Sequence, residues 1–388
     1  MGSIQTSAGG VNKPRELPPM NRRGTVPNIR LRMAPQRGEA GNLHFSGTMP
    51  CLSISITGVG GLTNAQQYMP MQPSALPQTT PLQTAKYLLK GMRPKQWVKN
   101  AFVFAGIVFA EQHLFTQLWA VGRVVLAFAL FSLVSSAVYL LNDLADIEQD
   151  RQHPKKRLRP LAAGLLSPAL ARIATVVLVI IGLGVPLLLT MRGGILASAW
   201  GWFAVVLGLY FGLQIAYTFR LKHMVILDLF AIAGGFVLRA VGGATVLGVA
   251  MTPWWLLCVL LLSLFLGLGK RRNELRVLEG GAGSHRRILE EYTPQLLENL
   301  LLIVVACTIV AYSQATFTAA SVPQEPYPFL MLTIPFVIYA MFRYLYLIQR
   351  KGEGGEPADL LFRDRPLLLT ILLWGALVIG ILVLFGNP

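Results

Sequence analysis

The stretch LNDLADIEQDRQHPKKRLRPLAAG, Leu141–Gly164, concentrates charges of both signs directly after a long apolar run. Four acidic residues lie between Asp143 and Asp150, and five Lys or Arg residues lie between Arg151 and Arg159. Charged residues make up only 13% of the whole chain. Such a density indicates either a solvated loop whose acids and bases pair with each other or a binding site for a charged ligand.

The residues on both sides of this stretch have the composition of a membrane protein. Hydrophobic residues make up 54% of the 388 residues, the mean hydropathy is +0.54, and the apolar residues come in long runs. Since a helix of about 20 apolar residues crosses a bilayer, the sequence predicts an all-α polytopic membrane protein with about nine transmembrane helices. The predicted spans are Val98–Gln117, Trp119–Leu141, Pro168–Leu189, Ile195–Tyr217, Met224–Val249, Pro253–Leu268, Leu296–Ala319, Pro328–Ile348 and Leu367–Phe385.

Lys and Arg residues collect in every second loop between these spans. One basic group precedes the first predicted span, and others follow the second, fourth, sixth and eighth spans. Because positively charged loops stay in the cytoplasm, this pattern places the N-terminus and the acidic stretch on the cytoplasmic side. The same loops account for most of the net charge of +16. The expected partner is therefore the lipid bilayer and not nucleic acid.

The first 80 residues have a different composition. They contain nine prolines, seven Lys or Arg residues and two acids, and they have no apolar run long enough for a signal peptide. A segment of this kind buries too little apolar surface to fold. The sequence predicts a mostly disordered extension at residues 1–80 and one transmembrane domain at residues 81–388.

The aspartates of the charged stretch are spaced for a metal site. Asp143, Asp146 and Asp150 would share one face of a helix that continues past the second span, with Asn142 beside them. Like charges at this spacing repel unless a cation lies between them, and magnesium is held by one or two carboxylates plus the phosphates of a substrate. The stretch therefore predicts a magnesium diphosphate site, with cationic phosphate partners at Lys156, Arg157 and Arg159.

The pattern N-D-x-x-D-x-x-x-D-x-x-H-P that begins at Asn142, followed by R-P, resembles the first aspartate-rich motif of the UbiA prenyltransferase superfamily. The resemblance covers roughly Lys90 to Phe385. It implies a bundle of nine helices around a central cavity, with cytoplasmic cap loops. It also implies that Mg²⁺ is the cofactor and that Asp143 and Asp146 have catalytic roles at the diphosphate.

A second motif departs from the common pattern of that superfamily. Typical members carry a second aspartate-rich motif after the fourth span, whereas this chain has YTFRLKHMVILD, Tyr217–Asp228, with one aspartate and the cation Lys222. This departure resembles the branch of decaprenyl-phosphate phosphoribosyltransferases. Three further stretches resemble the same branch: RPKQWVKN at 93–100, GKRRNEL at 269–275 and GEGGEPADLLFRDRP at 352–366.

The resemblance to this branch implies a specific reaction. A 5-phosphoribosyl group would move from phosphoribosyl diphosphate to a polyprenyl (decaprenyl) phosphate, with release of diphosphate, in the synthesis of cell-wall arabinan precursors. The enzyme would lie in the cytoplasmic membrane of a bacterium, with its active site toward the cytoplasm. Lys222 and Asp228 would join the catalytic aspartates, and no general base is needed because the lipid phosphate is already anionic.

Arg239 lies inside the apolar fifth span, where an arginine normally faces a cavity or a partner. Asp228 lies eleven residues earlier on nearly the same helix face, so the two could line one wall of the site; a purely structural partner for Arg239 is an equal alternative. By resemblance, Lys270 and Arg271 would lie near the 5-phosphate of the sugar. The predicted substrate-binding residues are Lys99, Asn142, Lys156, Arg157, Arg159, Tyr217, Arg239, Lys270 and Arg271.

Three other functions are compatible with parts of this pattern. An ordinary prenyl transfer from a prenyl diphosphate to an aromatic or lipid acceptor stays open as the alternative, although the missing second carboxylate motif argues against it. A transporter would place ionisable residues and broken helices near the bilayer midplane, whereas most acids here lie at one membrane face. A CDP-alcohol transferase is not indicated, because the chain has no D-x-x-D-G-x-x-A-R run.

Overall fold

The computed structural model describes residues 80–108, 114–153, 156–190, 198–279, 289, 291–351, 360 and 363–386. Over these ranges the regular elements are all helical. Eight helical segments are long and apolar enough to cross a membrane. The predicted all-α multi-pass fold is therefore confirmed. The extension predicted to be disordered lies outside the described residues except for Thr80, so that expectation stays a prediction.

Eleven α-helices are present in the described parts of the chain, together with several 3₁₀ helices and one short π-helix. Seven of the α-helices form or contain a membrane span, and α10 lies within the remaining span, Phe329–Gln349. The helices are α1 (Pro81–Met92), α2 (Ala105–Val108), α3 (Leu118–Ala145), α4 (Ile147–Gln152), α5 (Pro168–Leu189), α6 (Ala199–Phe219), α7 (Leu227–Leu247), α8 (Pro253–Glu279), α9 (Pro294–Phe317), α10 (Ile334–Tyr346) and α11 (Arg365–Phe385).

The first predicted span differs from expectation, because its described residues do not form one helix long enough to cross a membrane. Pro94–Phe104 forms a 3₁₀ helix that leads into the four-residue α2. At about 2.0 Å per 3₁₀ residue and 1.5 Å per α residue, the two pieces extend about 28 Å, close to the hydrocarbon thickness of a bilayer. The backbone of this segment touches α7, since a Cβ built on Gly243 would lie 1.8 Å from the Val103 carbonyl oxygen. The described chain thus has eight continuous spans and one irregular segment.

The irregular segment is attached to α3 by a row of polar contacts. Trp97 Nε1 donates a hydrogen bond to Ser136 Oγ at 3.0 Å, and Asn100 Nδ2 donates to Ser132 Oγ at 3.0 Å and to Ser135 Oγ at 3.2 Å. The three serines lie on one face of α3, because residues three and four apart on a helix are neighbours. This face continues toward the charged end of α3 and holds the segment beside it.

Helix α7 lies between the two main hydrophobic clusters of the protein. Its beginning, at Leu229 and Ala233, packs into a cluster with α8, α9, α10 and α11. Its end, at Val246 and Leu247, packs into a second cluster with α3 and α6. Because α7 is fixed from both sides, the residues of its first turn are held firmly at the end of the bundle where α3 carries its aspartates.

Candidate active site

Two buried aspartates at the end of α3 and in α4 share one arginine. Arg159 Nη1 lies 3.1 Å from Asp143 Oδ1 and 2.5 Å from Asp150 Oδ2. Arg93 also donates a hydrogen bond to Asp143 Oδ1, and Lys156 Nζ lies 3.9 Å from Asp150 Oδ1. The carboxylate side chains are each 2% exposed, whereas those of Arg93 and Arg159 are each 28% exposed. We call these five residues the Asp143 cluster.

Arg93 was not among the predicted site residues, and its contact with the aspartate was missed. It is the C-cap of α1, with a left-handed backbone conformation (φ 55°) that non-glycine residues seldom adopt. Its guanidinium also lies 5.1 Å from the centre of the Tyr139 ring, on the same face of α3 as Asp143. The sequence feature that could have indicated a site role for Arg93 is its position at the start of the stretch RPKQWVKN.

Asp146 is separated from the other two aspartates by a break in the helix. Helix α3 ends at Ala145, Asp146 has non-helical dihedral angles (φ −105°, ψ 14°), and α4 begins at Ile147. The predicted continuous helix with three aspartates on one face is therefore wrong. Asp146 instead meets Lys222, whose Nζ lies 3.2 Å from Oδ1 and 3.5 Å from Oδ2.

The two motif stretches meet at a second contact as well. Thr218 Oγ1 donates a hydrogen bond of 2.5 Å to Asn142 Oδ1, and Thr218 is buried at the end of α6. Together with the contact between Asp146 and Lys222, this bond brings the first aspartate-rich stretch and the stretch 217–228 side by side. The sequence suggested that both belong to one site, and the structure places them in direct contact.

A second set of charges surrounds Asp228, in the first turn of α7. Asp228 is fully buried, and Arg271 Nε lies 2.8 Å from its Oδ2. Arg271 also donates to Glu274, one turn further along α8. The Tyr292 hydroxyl donates to Asp228 Oδ1 at 2.9 Å, and burial raises the pKa of Tyr292 to about 12, so the hydroxyl keeps its proton at neutral pH. We call these four residues the Asp228 cluster.

Arg239 lies in a separate buried network about three turns along α7 from Asp228. Its Nε donates to Asn100 Oδ1 at 2.7 Å, its Nη2 donates to the Tyr210 hydroxyl at 2.8 Å, and its Nη1 donates to the Gly235 carbonyl at 2.7 Å. The guanidinium also lies over the Tyr210 ring at 4.6 Å. These contacts tie α7 to the irregular segment and to α6. They favour the structural alternative for Arg239, and its role in substrate binding stays a prediction.

The other predicted substrate-binding residues lie on the elements that carry these clusters. Arg157 is exposed, whereas Lys99 and Lys270 are half-buried. Tyr217 is half-buried at the end of α6 and lies within electrostatic range of Arg271. Arg271 was predicted to lie near the 5-phosphate of the sugar. In the structure its guanidinium pairs with the carboxylates of Asp228 and Glu274. Direct contact of any of these residues with a substrate stays a prediction.

The carboxylates of the Asp143 cluster fit a magnesium ion that shares its ligands with a substrate. Among the described residues, no group of three or more His, Cys, Asp or Glu side chains is arranged to hold a metal. Asp143 and Asp150, however, converge on the single cationic atom Arg159 Nη1. A magnesium ion that binds substrate phosphates needs only one or two carboxylates from the protein. The pair Asp143 and Asp150 meets that requirement, and a ligand role for any of Asp143, Asp146 and Asp150 stays a prediction.

Comparison with known proteins shows the family of this chain. Residues 100–363 match the UbiA prenyltransferase family. The chain belongs to this family. Its members are transferases, so the chain is an enzyme of a membrane-embedded transferase family, as the motif pattern indicated.

Some relatives of this chain are named for one specific reaction. The chain is 34% identical over 295 residues to the decaprenyl-phosphate phosphoribosyltransferase of Corynebacterium glutamicum, with 76% of this chain and 86% of that protein covered. It is also 34% identical over 304 residues to the decaprenyl-phosphate phosphoribosyltransferase of Mycobacterium tuberculosis, with 77% of this chain and 95% of that protein covered. The predicted resemblance to this branch is therefore confirmed.

Solved structures support the fold. A UbiA homolog from Archaeoglobus fulgidus bound to DMAPP and Mg²⁺ is similar with a TM-score of 0.56 and 15% sequence identity, and the match covers 77% of this chain and all of that one. A digeranylgeranylglyceryl phosphate synthase is similar with a TM-score of 0.54 and 18% identity, over 78% of this chain and 99% of that one. At these identities the similarity concerns the arrangement of the helices.

Proposed function

We propose that this protein transfers the 5-phosphoribosyl group of phosphoribosyl diphosphate to a polyprenyl phosphate such as decaprenyl phosphate. A phosphate oxygen of the lipid forms a bond to the anomeric carbon of the ribose, while the bond from that carbon to the diphosphate breaks. Diphosphate leaves with the bonding electrons. No proton has to be removed, because the lipid phosphate is anionic at neutral pH.

One observation supports phosphoribosyl transfer in particular, and not only membership of the family. In the place of the second aspartate-rich motif, the chain has Lys222, and this lysine contacts Asp146 of the first motif. A lysine adds positive charge where a second metal-binding carboxylate would otherwise lie, which suits a donor that carries a further phosphate in addition to its diphosphate. The named relatives, which align over three quarters of this chain, support the same assignment.

The residues of the site have distinct roles in the proposed reaction. Four cations, Arg93, Lys156, Arg159 and Lys222, face three carboxylates at the joined motifs. Departure of diphosphate creates negative charge on the leaving group, and preorganised cations stabilise that charge in the transition state. Arg159 and Arg93 are partly exposed, so they can turn from the carboxylates toward the phosphates of a bound donor.

Magnesium is the proposed cofactor, with Asp143 and Asp150 as its protein ligands and Asp146 as a candidate third. When bound, the ion neutralises charge on the diphosphate and so makes it a better leaving group. Similar structures bound to Mg²⁺ support the use of a divalent metal. The side chains of this chain supply the remaining functions, which are to orient the donor and to hold the lipid phosphate near the anomeric carbon.

The alternative is an ordinary transfer of a prenyl group to an aromatic or lipid acceptor. Its support is that UbiA homologs similar in fold are bound to DMAPP or GPP. Against it, Asp228 is the one acid of the stretch 217–228, and it is fully buried between Arg271 and Tyr292. A second prenyl diphosphate metal would need accessible carboxylates at this position.

The deciding experiment offers two substrate pairs to the purified protein. One mixture contains labelled phosphoribosyl diphosphate and a polyprenyl phosphate; the other contains a prenyl diphosphate and a set of aromatic acceptors. We expect Mg²⁺-dependent formation of polyprenyl-phosphate phosphoribose in the first mixture and no product in the second. Turnover in the second mixture alone would overturn the proposal in favour of prenyl transfer.

We also propose that the enzyme lies in the cytoplasmic membrane of a bacterium with its active site toward the cytoplasm. The loops that carry the two motif stretches hold the excess of Lys and Arg. Single cysteines placed at Arg157, Arg220 and Arg363 should be protected from a membrane-impermeant thiol reagent added to intact cells, and should react after the membrane is opened. Reaction of any of the three in intact cells would contradict this orientation.

A further inference from the structure

A strained turn separates the active-site lysine from α7. Ile226 has a positive φ of 67° with ψ −46°, and the Leu227 amide donates a hydrogen bond of 2.7 Å to the Val225 carbonyl across it. This is a γ-turn of the rare, strained kind, and a β-branched residue at positive φ is a genuine outlier. A residue keeps such a conformation only where its surroundings hold it there.

A tyrosine from a distant part of the chain holds this turn. The Tyr292 hydroxyl accepts a hydrogen bond of 2.7 Å from the Ile226 amide and donates one of 2.9 Å to Asp228 Oδ1. Tyr292 lies just before α9, 66 residues away from Ile226, and its residue surface is 2% exposed. One oxygen atom therefore fixes the backbone at the strained residue and the carboxylate that follows it.

The turn controls the direction in which the preceding residues approach the site. Lys222 lies in the 3₁₀ helix Leu221–His223, only four residues before Ile226, and its Nζ contacts Asp146 at 3.2 Å. Between this short helix and the firmly packed start of α7, the chain has only the residues of the turn. A change at the turn would therefore move the lysine relative to the aspartates of α3 and α4.

We propose that Tyr292 is a positioning residue, which acts through the turn at Ile226 to place the ammonium group of Lys222 where it meets the diphosphate of the donor. The inference rests on the proposed function only in assigning a diphosphate to this site. It requires no contact between Tyr292 and the substrate.

The chain offers a matched control for the Tyr292 hydroxyl. Tyr344 belongs to the same hydrophobic cluster and is 4% exposed, but its buried hydroxyl has no hydrogen-bond partner among the described residues. Tyr292→Phe and Tyr344→Phe therefore remove the same atom from similar surroundings. Only the first substitution removes the two hydrogen bonds that hold the turn.

The first test measures binding of inorganic diphosphate with Mg²⁺ by calorimetry, together with KM for phosphoribosyl diphosphate. Residues that orient the ligands of a metal ion typically contribute 10-fold to 100-fold to affinity or activity, and we expect an effect at the lower end of that range for a residue that orients a lysine. We expect Tyr292→Phe to weaken diphosphate binding and raise the donor KM about 10-fold, with KM for the lipid phosphate unchanged. Tyr344→Phe should match the wild type. Equal diphosphate affinity in Tyr292→Phe and the wild type would overturn the inference.

A second test asks whether Tyr292 acts through the lysine. If it does, Tyr292→Phe should cause no further loss of diphosphate affinity in a Lys222→Ala protein, because the group that it positions is already gone. Additive losses would show a merely structural role. The binding measurement distinguishes failure of this inference from failure of the proposed function. If the wild type binds diphosphate but does not turn over phosphoribosyl diphosphate, the proposed function is wrong. The comparison of diphosphate affinities still decides the role of Tyr292 in that case.

A third test uses the strain itself and also covers the case in which Tyr292→Phe folds poorly. Glycine adopts positive φ without steric cost, so Ile226→Gly should make the turn less dependent on the tyrosine. We expect the loss of diphosphate affinity on Tyr292→Phe to be clearly smaller in the Ile226→Gly background. A loss of the same size in both backgrounds would show that the tyrosine does not act by holding this turn.

Discussion

The Asp143 cluster and the Asp228 cluster consist of the same kinds of groups, but they differ in how far water reaches their cations. The Arg93 and Arg159 side chains are each 28% exposed, whereas that of Arg271 is 3% exposed and Asp228 is not exposed at all. A partly solvated arginine can turn from its carboxylate toward an incoming phosphate, provided that a bound cation such as Mg²⁺ then compensates the buried carboxylate. A sealed ion pair cannot, because separation would leave an uncompensated charge in an apolar surrounding.

Because of this difference in exposure, we expect the Asp143 cluster and the Asp228 cluster to have different roles, although both consist of acidic and basic residues in the sequence. The Asp143 cluster has accessible cations and convergent carboxylates, which we propose bind a diphosphate and a metal. The Asp228 cluster joins α7, α8 and the segment before α9, and it holds the strained turn that leads to Lys222. Substitutions should therefore affect chemistry at the first cluster and stability, with loss of site geometry, at the second.

The largest effect on turnover is expected at Asp143. Asp143→Asn removes the charge that faces Arg93 and Arg159 while keeping the size of the side chain, so the metal and the diphosphate lose a fixed partner. We expect kcat to fall about 100-fold or more, as when other preorganised electrostatic groups are removed. Steady-state kinetics in detergent, with thermal unfolding as a check of the fold, would measure this.

The acid Glu148 provides the control for that substitution. It lies between the two cluster aspartates in the sequence, and its side chain is 79% exposed. Among the residues that the structure describes, it pairs with Arg151 alone, at 2.8 Å in the same short helix. Glu148→Gln should leave turnover close to that of the wild type. If Asp143→Asn also turned over normally in a folded preparation, the assignment of the accessible cluster to the chemistry would be wrong.

The next largest effect is a loss of stability at Asp228. Asp228→Asn removes the fully buried one of the two carboxylates that pair with Arg271, and breaking a buried pair costs about 3 kcal/mol. The neighbouring pair of Arg272 with Glu298 is a close control, because its carboxylate side chain is 38% exposed. Glu298→Gln should cost at most about 1 kcal/mol.

Thermal unfolding of both variants in the same detergent would test this contrast. We expect a clearly lower unfolding temperature for Asp228→Asn, with impaired turnover, and a nearly unchanged one for Glu298→Gln. Equal unfolding temperatures for the two variants would show that burial does not separate the two clusters in the way described above.

A smaller effect, confined to the donor, is expected at Lys222. Its contact with Asp146 joins side chains that are 20% and 28% exposed, and such pairs contribute only about 0 to 1 kcal/mol to stability. Lys222→Ala should therefore raise KM for phosphoribosyl diphosphate about 10-fold without a change in unfolding temperature. Arg151→Ala, which removes a cation from an exposed pair nearby, serves as the control. A lower unfolding temperature with an unchanged KM would show that Lys222 stabilises the fold and does not bind the donor.

The smallest effect concerns pH and Tyr292. Burial raises the pKa of its hydroxyl from 10.0 to about 12. Because the folded-state pKa lies above that of the unfolded chain, the stability that the protonated hydroxyl contributes is fully present below about pH 10 and is lost as the pH rises through about 12. The difference in unfolding temperature between the wild type and Tyr292→Phe should be constant up to about pH 10 and shrink above it. A difference that shrinks between pH 7 and 9 would contradict the protonated, donating hydroxyl.

Much of the fold could be predicted because hydropathy is a local property. The run predicted at Pro168–Leu189 is α5 with the same bounds, and Ile195–Tyr217 differs from α6 by only a few residues. The irregular first segment could not be predicted in the same way. Its conformation depends on the contact of Val103 with Gly243, 140 positions later in the chain, and no local pattern encodes that contact.

The candidate site was predicted in part for the same reason. The motif at Asn142 and the lysine in the stretch 217–228 could be read from the sequence, and their contact is present. The helix break at Asp146 could not, because i, i+3 and i+7 spacing assumes one continuous helix. Tyr292 was missed as well, since nothing in its own neighbourhood shows that it meets a turn 66 residues away.

The sequence by itself determined that this chain crosses the membrane many times, that it places its acidic and basic motifs at one end of the bundle, and that these motifs suit a metal-bound diphosphate. Those properties follow from runs of apolar residues, from charge distribution and from short-range spacing. Only the tertiary structure decided which charged side chains are exposed to water and which are buried. Exposure depends on the helices that pack over each group: Asp143 and Asp228 are both buried aspartates at helix ends, but the arginines paired with Asp143 reach water, whereas the arginine paired with Asp228 is buried.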